Sequence, residues 1–487
     1  MYDPETAALI RQTPELPGLD REDLPDALSR AYAEIASARV MLREEQPSLE
    51  QLSETIDFAQ RLARTNEALL VASPERENRA AAAFVAATAY QLVRQAEAIR
   101  EDARDAAYLR ADAISPEISA MLLFLAAEAS ADAAEVSRHI SFPEDEPLQA
   151  NLIWTLLRLA RGEVGAITDS RRLARRRIIA GTDYEQAVAG LYYQLLRGVR
   201  ALAFRLQGRR IRDMADPIVV FEQVKSLASP AATDALGDLN AQALVAFPGP
   251  FHLASLLIIL GRSLLDGAVV SLPAPDGTDS ERWRKAMQGV AATRPYLWRN
   301  HKSAVDRGYL THGVSSVIGF PTGAGKSTVS QLKIHAALLG AFKVVFLAPT
   351  NALVDQTATD LNKAFKNARV RGQREDEFND EELPDILVMT PEACLAAGHA
   401  EPHVFADVGL LIFDECHLLH PQTDANKRAI DAMLCILMMA RIAPNADFLL
   451  LSAMMRNTEE LSSCHRVRVM VCPLAPRSTQ KALRCFS

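Results

Sequence analysis

An α-helical array followed by an α/β domain on a parallel sheet (α + α/β) is the fold class this 487-residue sequence predicts. Three observations carry it. From about residue 23 to 270, apolar residues recur at helical spacing with little interruption. After residue 280, short apolar runs alternate with helical segments, the pattern of a doubly wound parallel sheet. Between one such run and one such helix lies a glycine-rich turn, Gly319-Phe320-Pro321-Thr322-Gly323-Ala324-Gly325-Lys326-Ser327-Thr328.

The first 22 residues are polar and proline-rich and read as a loose N-terminus. In the helical domain, 23–270, Ser48 and Gln51 have capping-box spacing, and Ser73-Pro74 and Ser115-Pro116 each set an N-cap before a first-turn proline. The run from 79 to 103 joins high helix propensity to an apolar face. No fixed-period repeat is evident. Two arginine clusters stand out: Arg171, Arg172, Arg175, Arg176 and Arg177, then Arg205, Arg209, Arg210 and Arg212. Without interleaved aromatic residues they read as solvated or acid-paired helix faces, with phosphate contact as the alternative.

The stretch SLPAPDGTDS, 271–280, is the linker that the composition predicts. In the nucleotide-binding domain, 281–462, strands are expected over 314–319, 344–348, 385–389, 408–413 and 447–453, and a helix from Lys326 onward. Six carboxylates within 375–382 read as a solvated surface insertion.

Composition bounds the functional classes. A net charge of −8 excludes a generally basic nucleic-acid coat but leaves room for a local basic cleft. The N-terminus lacks the pattern of a secretory signal, and the longest apolar tract, Leu253 to Leu272, is interrupted by Arg262 and Asp266, so no membrane partner is expected. Six cysteines without a C-x-x-C pair suit a reduced, cytoplasmic protein.

The glycine-rich turn is where the chemistry concentrates. A loop between strand and helix aims successive backbone N–H groups and the helix dipole at one spot, which suits a nucleoside triphosphate. Thr322, Gly323, Ala324, Gly325, Lys326, Ser327 and Thr328 are the expected ATP contacts. Lys326 reaches the outer phosphates and the Ser327 hydroxyl serves Mg²⁺. Phe320 stands where the strict pattern has glycine. Eighty-eight residues past Lys326, an apolar strand ends in Asp414-Glu415-Cys416-His417. A carboxylate there fits Mg²⁺ coordination, so Asp414 is the candidate metal residue and Glu415 the candidate base for the attacking water; with Lys326 they form the catalytic set.

At these residues the chain resembles the superfamily 2 DExH-box helicases. FPTGAGKS (320–327) is similar to motif I, LAPTNALVDQ (347–356) to motif Ia, VMTPEACL (388–395) to motif Ib, IFDECHLL (412–419) to motif II and LLSAMMRNTEEL (450–461) to motif III. The last is most similar to the Ski-like branch. The resemblance implies a RecA-like domain, ATP-dependent action on DNA or RNA, and strand contacts by Pro349, Thr350, Thr390 and Pro391. It also implies coupling of ATP state to the strand by His417, Ser452 and Ala453. Asn351 replaces a frequent arginine, Met454 a frequent threonine, and His301 stands near the glutamine of an adenine-recognition segment, 295–305. The helical extension resembles those of bacterial genome-defence helicases and is available to a protein partner.

A helicase of this kind uses a second RecA-like domain with an arginine finger, and no Q-x-x-G-R-x-x-R segment or second phosphate loop occurs in the 487 residues. The resemblance ends at Leu461. From Cys464 to Ser487 there are three cysteines, five Lys or Arg and no carboxylate. The expectation is a truncated product, inactive alone, whose frame is lost near 462–464, with 463–487 an atypical tail. The alternative is a true strand from Val467 to Val471 and a short basic tail, in a non-catalytic nucleotide- and nucleic-acid-binding module or partner scaffold.

Overall fold

The computed structural model describes residues 24–44, 47–72, 76–100, 106–141, 147–170, 182–209, 215–229, 247–320, 325–372, 382–416, 427–452 and 468–471. Thr322, Gly323, Ala324, His417, Ala453, Met454, the Ser73-Pro74 pair, arginines 171 to 177, Arg210 and Arg212 lie outside them. The chain divides into two compact units, Met1–Ser271 with Ala291–Tyr296, and Leu272–Val290 with Leu297–Ser487.

In the first unit the described helices are α1 (Leu24–Glu44), α2 (Leu49–Ala72), α3 (Arg76–Arg100), α4 (Pro116–Ala126), α5 (Ser130–His139), α6 (Pro147–Ala160), α7 (Val164–Asp169), α8 (Asp183–Leu206), α9 (Pro217–Ala228) and α10 (Pro248–Asp266). Ser48 and Gln51 make both bonds of the capping box at the start of α2, at 2.8 and 3.2 Å. Ser115 precedes α4 as expected, but its side chain makes no capping bond; the proline at the first turn and a fully buried apolar face start this helix instead. On α3 the alanines 82, 83, 86, 87 and 89 are fully buried, and side chains this small let neighbouring helices approach closely. Gly198 of α8 serves α9 in the same way: a Cβ there would stand 2.4 Å from the Phe221 ring.

Helix α10 runs through this core, with Leu253, Leu257 and Leu260 wholly buried. By length and apolarity it meets the requirement for crossing a membrane, which the reading of Leu253 to Leu272 did not allow. That reading placed the start of the tract too late; the helix begins at Pro248, so Arg262 sits in its last turns rather than in its middle. Of the arginine clusters, Arg205 pairs with Asp216 at 2.6 Å, and Arg209 lies over the Phe204 ring and 3.9 Å from Asp169. These two are acid-paired.

The second unit opens with α11 (Ser280–Ala291), whose last residue counts with the first unit, and α12 (Arg299–Asp306). The linker packs: buried Trp283 donates its indole N–H to the Leu272 carbonyl at 3.0 Å. Then come β1 (Ser316–Gly319), α13 (Lys326–Leu339), β2 (Lys343–Leu347), α14 (Asn351–Ala364), β3 (Val370–Gly372), β4 (Ile386–Met389), α15 (Pro391–Ala400), β5 (Val408–Phe413), α16 (Lys427–Ile442), β6 (Asp447–Ser452) and β7 (Arg468–Val471). The strands form one parallel sheet in the order β3-β4-β2-β5-β6-β1-β7. Their near-continuous burial follows from helices on both faces. Val345, Leu387, Leu411 and Leu450 meet α15 and α16, and α13 and α14 pack on the sheet as well.

One strand escaped the sequence reading and another was read only as an alternative. Val370–Gly372 is short and polar, an edge that gives no apolar run. Arg468–Val471, on the opposite edge, pairs with β1 in register from Ser316↔Arg468 to Gly319↔Val471, so for these four residues the structure takes the strand alternative, begun one residue later.

Candidate nucleotide-binding site

The described candidate site residues of the second unit lie at the C-terminal ends of parallel strands or on the first turns of the helices that follow them, where an open α/β sheet leaves its crevice. The strand order sets their spacing. β6 lies between β1 and β5, so Ser452 sits between the loop that follows Gly319 and the Asp414-Glu415 pair. Ser452 is wholly buried and its carbonyl accepts the Phe320 N–H at 3.0 Å, which fixes the start of the loop to the end of β6. Phe320 is itself 1% exposed; it occupies the position of the missing glycine because its ring is part of the core.

The loop ends at Gly325, in the left-handed region at φ +84°, which caps α13. Only glycine fits. Besides the φ, a Cβ there would come within 2.4 Å of the His301 ring. From the first turn of α13, Lys326 extends its ammonium to the carboxylates of β5: it pairs with Glu415 Oε1 and lies 3.8 Å from Asp414 Oδ1. The backbone sets this meeting. The Asp414 N–H donates to the Leu347 carbonyl at 3.0 Å, which holds it against β2. Glu415 adopts φ +54°, and its N–H donates to Asp414 Oδ1 at 3.0 Å. A left-handed non-glycine residue costs about 1–2 kcal/mol, a strain found most often where a side chain must be aimed.

Electrostatics follow from partial burial. Desolvation pushes the Asp414 carboxyl above the usual range, against the pull of Lys326. The adjacent Cys416 thiol is pushed up to about 12, first by burial and then by Asp414 and Glu415, so it is an inert core group.

The expected strand contacts sit differently. Thr350 Oγ1 accepts the Leu353 N–H at 3.3 Å and Thr390 Oγ1 accepts the Ala393 N–H at 3.2 Å, each capping its helix. Thr390 is 4% exposed and Pro391 is buried, so at this position the helix N-terminus, rather than the threonine hydroxyl, is what the surface offers. Pro349 is half-buried at the end of β2. Since β2 and β4 are paired neighbours, the N-termini of α14 and α15 emerge side by side.

Sequence reasoning set His301 near the glutamine of an adenine-recognition segment without giving it a contact of its own. It is 3% exposed, its Nδ1 accepts the Trp298 N–H at 3.3 Å, and its Nε2 lies 3.1 Å from the Gly325 carbonyl. The ring stacks on Trp298 and tilts against Phe320. Lys333 of α13 was not singled out by the sequence. It is 2% exposed and donates to Asp447 at 2.9 Å and to the Thr311 carbonyl at 2.8 Å, tying α13 to the start of β6. A lysine inside an apolar helical stripe was the available signal.

A strand, a glycine-ended loop, a lysine at the start of a helix and two carboxylates from the next strand but one define a P-loop nucleoside-triphosphatase fold. Residues 299–461, about a third of the chain, match the family DEAD/DEAH box helicase, and this segment is a superfamily 2 helicase domain of the Ski2-like kind. The chain is 24% identical over 172 residues to ATP-dependent DNA helicase Hel308 of Thermoplasma acidophilum, covering 34% of this chain and 24% of that protein. It is 30% identical over 117 residues to the probable helicase HelY of Mycobacterium leprae, 24% of this chain and 12% of that one. It is 26% identical over 155 residues to the antiviral helicase SKI2 of Saccharomyces cerevisiae, 32% and 11%. The chain thus spans about a quarter or less of the length of these relatives. Among solved structures, the MrfA helicase bound to DNA is 19% identical, covering 42% of this chain and 31% of its own, with a TM-score of 0.31. The Pyrococcus furiosus Hef helicase domain is 19% identical over 37% and 38%, with a TM-score of 0.28.

Proposed function

We propose that this chain carries the ATP-binding part of a cytoplasmic, ATP-dependent DNA or RNA helicase or translocase. The observation that supports it is the meeting of Lys326 with Asp414 and Glu415 at the mouth of a left-handed glycine cap. The lysine pairs with the carboxylates; its charge suits phosphate and theirs suits Mg²⁺. Among the described residues no group of three or more His, Cys, Asp or Glu could hold a metal, so Mg²⁺ would rest on Asp414, the Ser327 hydroxyl, water and the nucleotide's own phosphates. Glu415 would orient and deprotonate the attacking water, and the twin helix N-termini at Asn351 and Pro391 would face a strand's backbone phosphates without reading sequence. The helical unit lies outside the matched segment and in this reading takes a protein partner.

Calorimetric titration of the purified chain with Mg²⁺ and a non-hydrolysable ATP analogue tests the site. Wild type and Glu415→Gln are expected to bind, and Lys326→Ala is expected not to. Equal binding by Lys326→Ala removes the reading. Nucleic-acid-stimulated hydrolysis by the purified chain that Glu415→Gln removes would support the role given to Glu415, and hydrolysis that survives Glu415→Gln would reject it.

A further inference from the structure

We infer that His301 is a positioning residue that latches the last peptide of the phosphate loop, and that it does so in place of reading the nucleotide's base. The inference rests on the nucleotide-site reading and deepens it. Both ring nitrogens are engaged by main chain: Nδ1 accepts the Trp298 N–H at 3.3 Å, so Nε2 carries the proton and donates it to the Gly325 carbonyl at 3.1 Å. The ring is 3% exposed and held between Trp298 and Phe320.

The carbonyl it grips matters because of what lies across the peptide. No cis bond occurs among the described residues, so the Gly325 C=O and the Lys326 N–H point in opposite directions. The same carbonyl accepts the Thr328 N–H at 2.9 Å in the first turn of α13. Anchoring it from the side with His301 fixes the Lys326 N–H outward from the helix N-terminus, the direction from which an anion is bound. Gly325 is left-handed and has no Cβ to hold its peptide plane, so the His301 bond adds to the Thr328 bond in fixing that plane. The fit is mutual, since a Cβ at Gly325 would meet His301 Nε2 at 2.4 Å.

A ring committed in this way has no hydrogen-bonding edge to offer a purine. Strong discrimination requires a buried polar group that the wrong ligand leaves unpaired. Selection by His301 is therefore absent, and affinity rests on the phosphates.

The test compares binding of the β,γ-imido analogues of ATP and GTP, each with Mg²⁺, to the full chain and to His301→Phe, which keeps the ring stack and removes both nitrogens. Wild type is expected to bind the two within about tenfold, and His301→Phe to weaken both by about three- to tenfold, the worth of one hydrogen bond, with their ratio unchanged. A merely structural loss is separated by the thermal midpoint and by His301→Gln, whose amide restores a donor near Gly325 and is expected to recover part of both affinities. A wild-type preference for adenine above tenfold overturns the inference, as does a folded His301→Phe with wild-type affinities or an altered ratio. If wild type binds neither analogue in a Lys326-dependent way, the nucleotide site itself fails, a result distinct from either.

Discussion

Lys333 and Asp447 are a costly pair of side chains in the second unit, both all but buried and joined at 2.9 Å. Burial pulls the lysine below its usual range and Asp447 pulls it back, which is the signature of a charge kept by its partner. Removing one member strands the other. Lys333→Met alone is expected to destabilise the unit by about 3–5 kcal/mol, whereas Lys333→Met with Asp447→Leu should restore most of the loss. Urea unfolding of the four corners of this double-mutant cycle checks it, and additive losses would show that the pair does not act as a unit. The site residues were readable because their chemistry is local to a motif. His301 and Lys333 were not, because each takes its role from a carbonyl or carboxylate that only the fold brings near.

At the scale of the element, α13 carries the phosphate loop on its first turn and the core on its face. Its start at Lys326 was legible to the residue, because the apolar spacing begins there directly after Gly325. The helix also carries a pH dependence. His335 packs 4.5 Å from the Phe365 ring, and burial holds it down to about 4 from an ordinary value of 6.5. Above pH 6.5 it is neutral folded and unfolded, and its contribution is fully present. As pH falls from 6.5 toward 4, the unfolded chain takes up a proton that the folded one refuses, and stability drops by up to about 3 kcal/mol. Denaturant midpoints across that range should slope in wild type and flatten in His335→Leu; equal slopes would place the titration elsewhere. Helix α16 shows a different limit. Its Ile430, Met433, Leu434 and Leu437 are each roughly half exposed while Ala432, Cys435 and Met439 are buried, so apolar residues encircle it and periodicity alone could not assign its inner face.

For the whole molecule, the division into two units is not a single cut. Ala291–Tyr296 belongs with the helical unit: the Val269 N–H donates to the Pro295 carbonyl at 3.1 Å, Ala268 bridges Tyr296, and the Tyr296 hydroxyl donates to the Leu159 carbonyl at 3.4 Å. A fragment ending at residue 271 loses these bonds and one ending at 296 keeps them. The longer fragment is expected to melt at a higher temperature despite carrying an unsupported α11, with circular dichroism as the measurement. A midpoint at or below that of the shorter fragment would deny the returning segment a structural role.

The sequence by itself determined the order of motifs, the buried strands and the helix that begins at Lys326, because each rests on a spacing within a few residues of chain. It also determined that Lys326, Asp414 and Glu415 belong to one site, since the glycine loop and the strand-end carboxylates are each specific and their chemistry is shared. Tertiary structure alone decided that β6, ending in Ser452, lies between β1 and β5, that Lys333 reaches Asp447, and that His301 grips Gly325. Those outcomes depend on strand order and on distances between residues far apart in the chain, and pairing energy across a sheet leaves no periodic trace in the strands that share it.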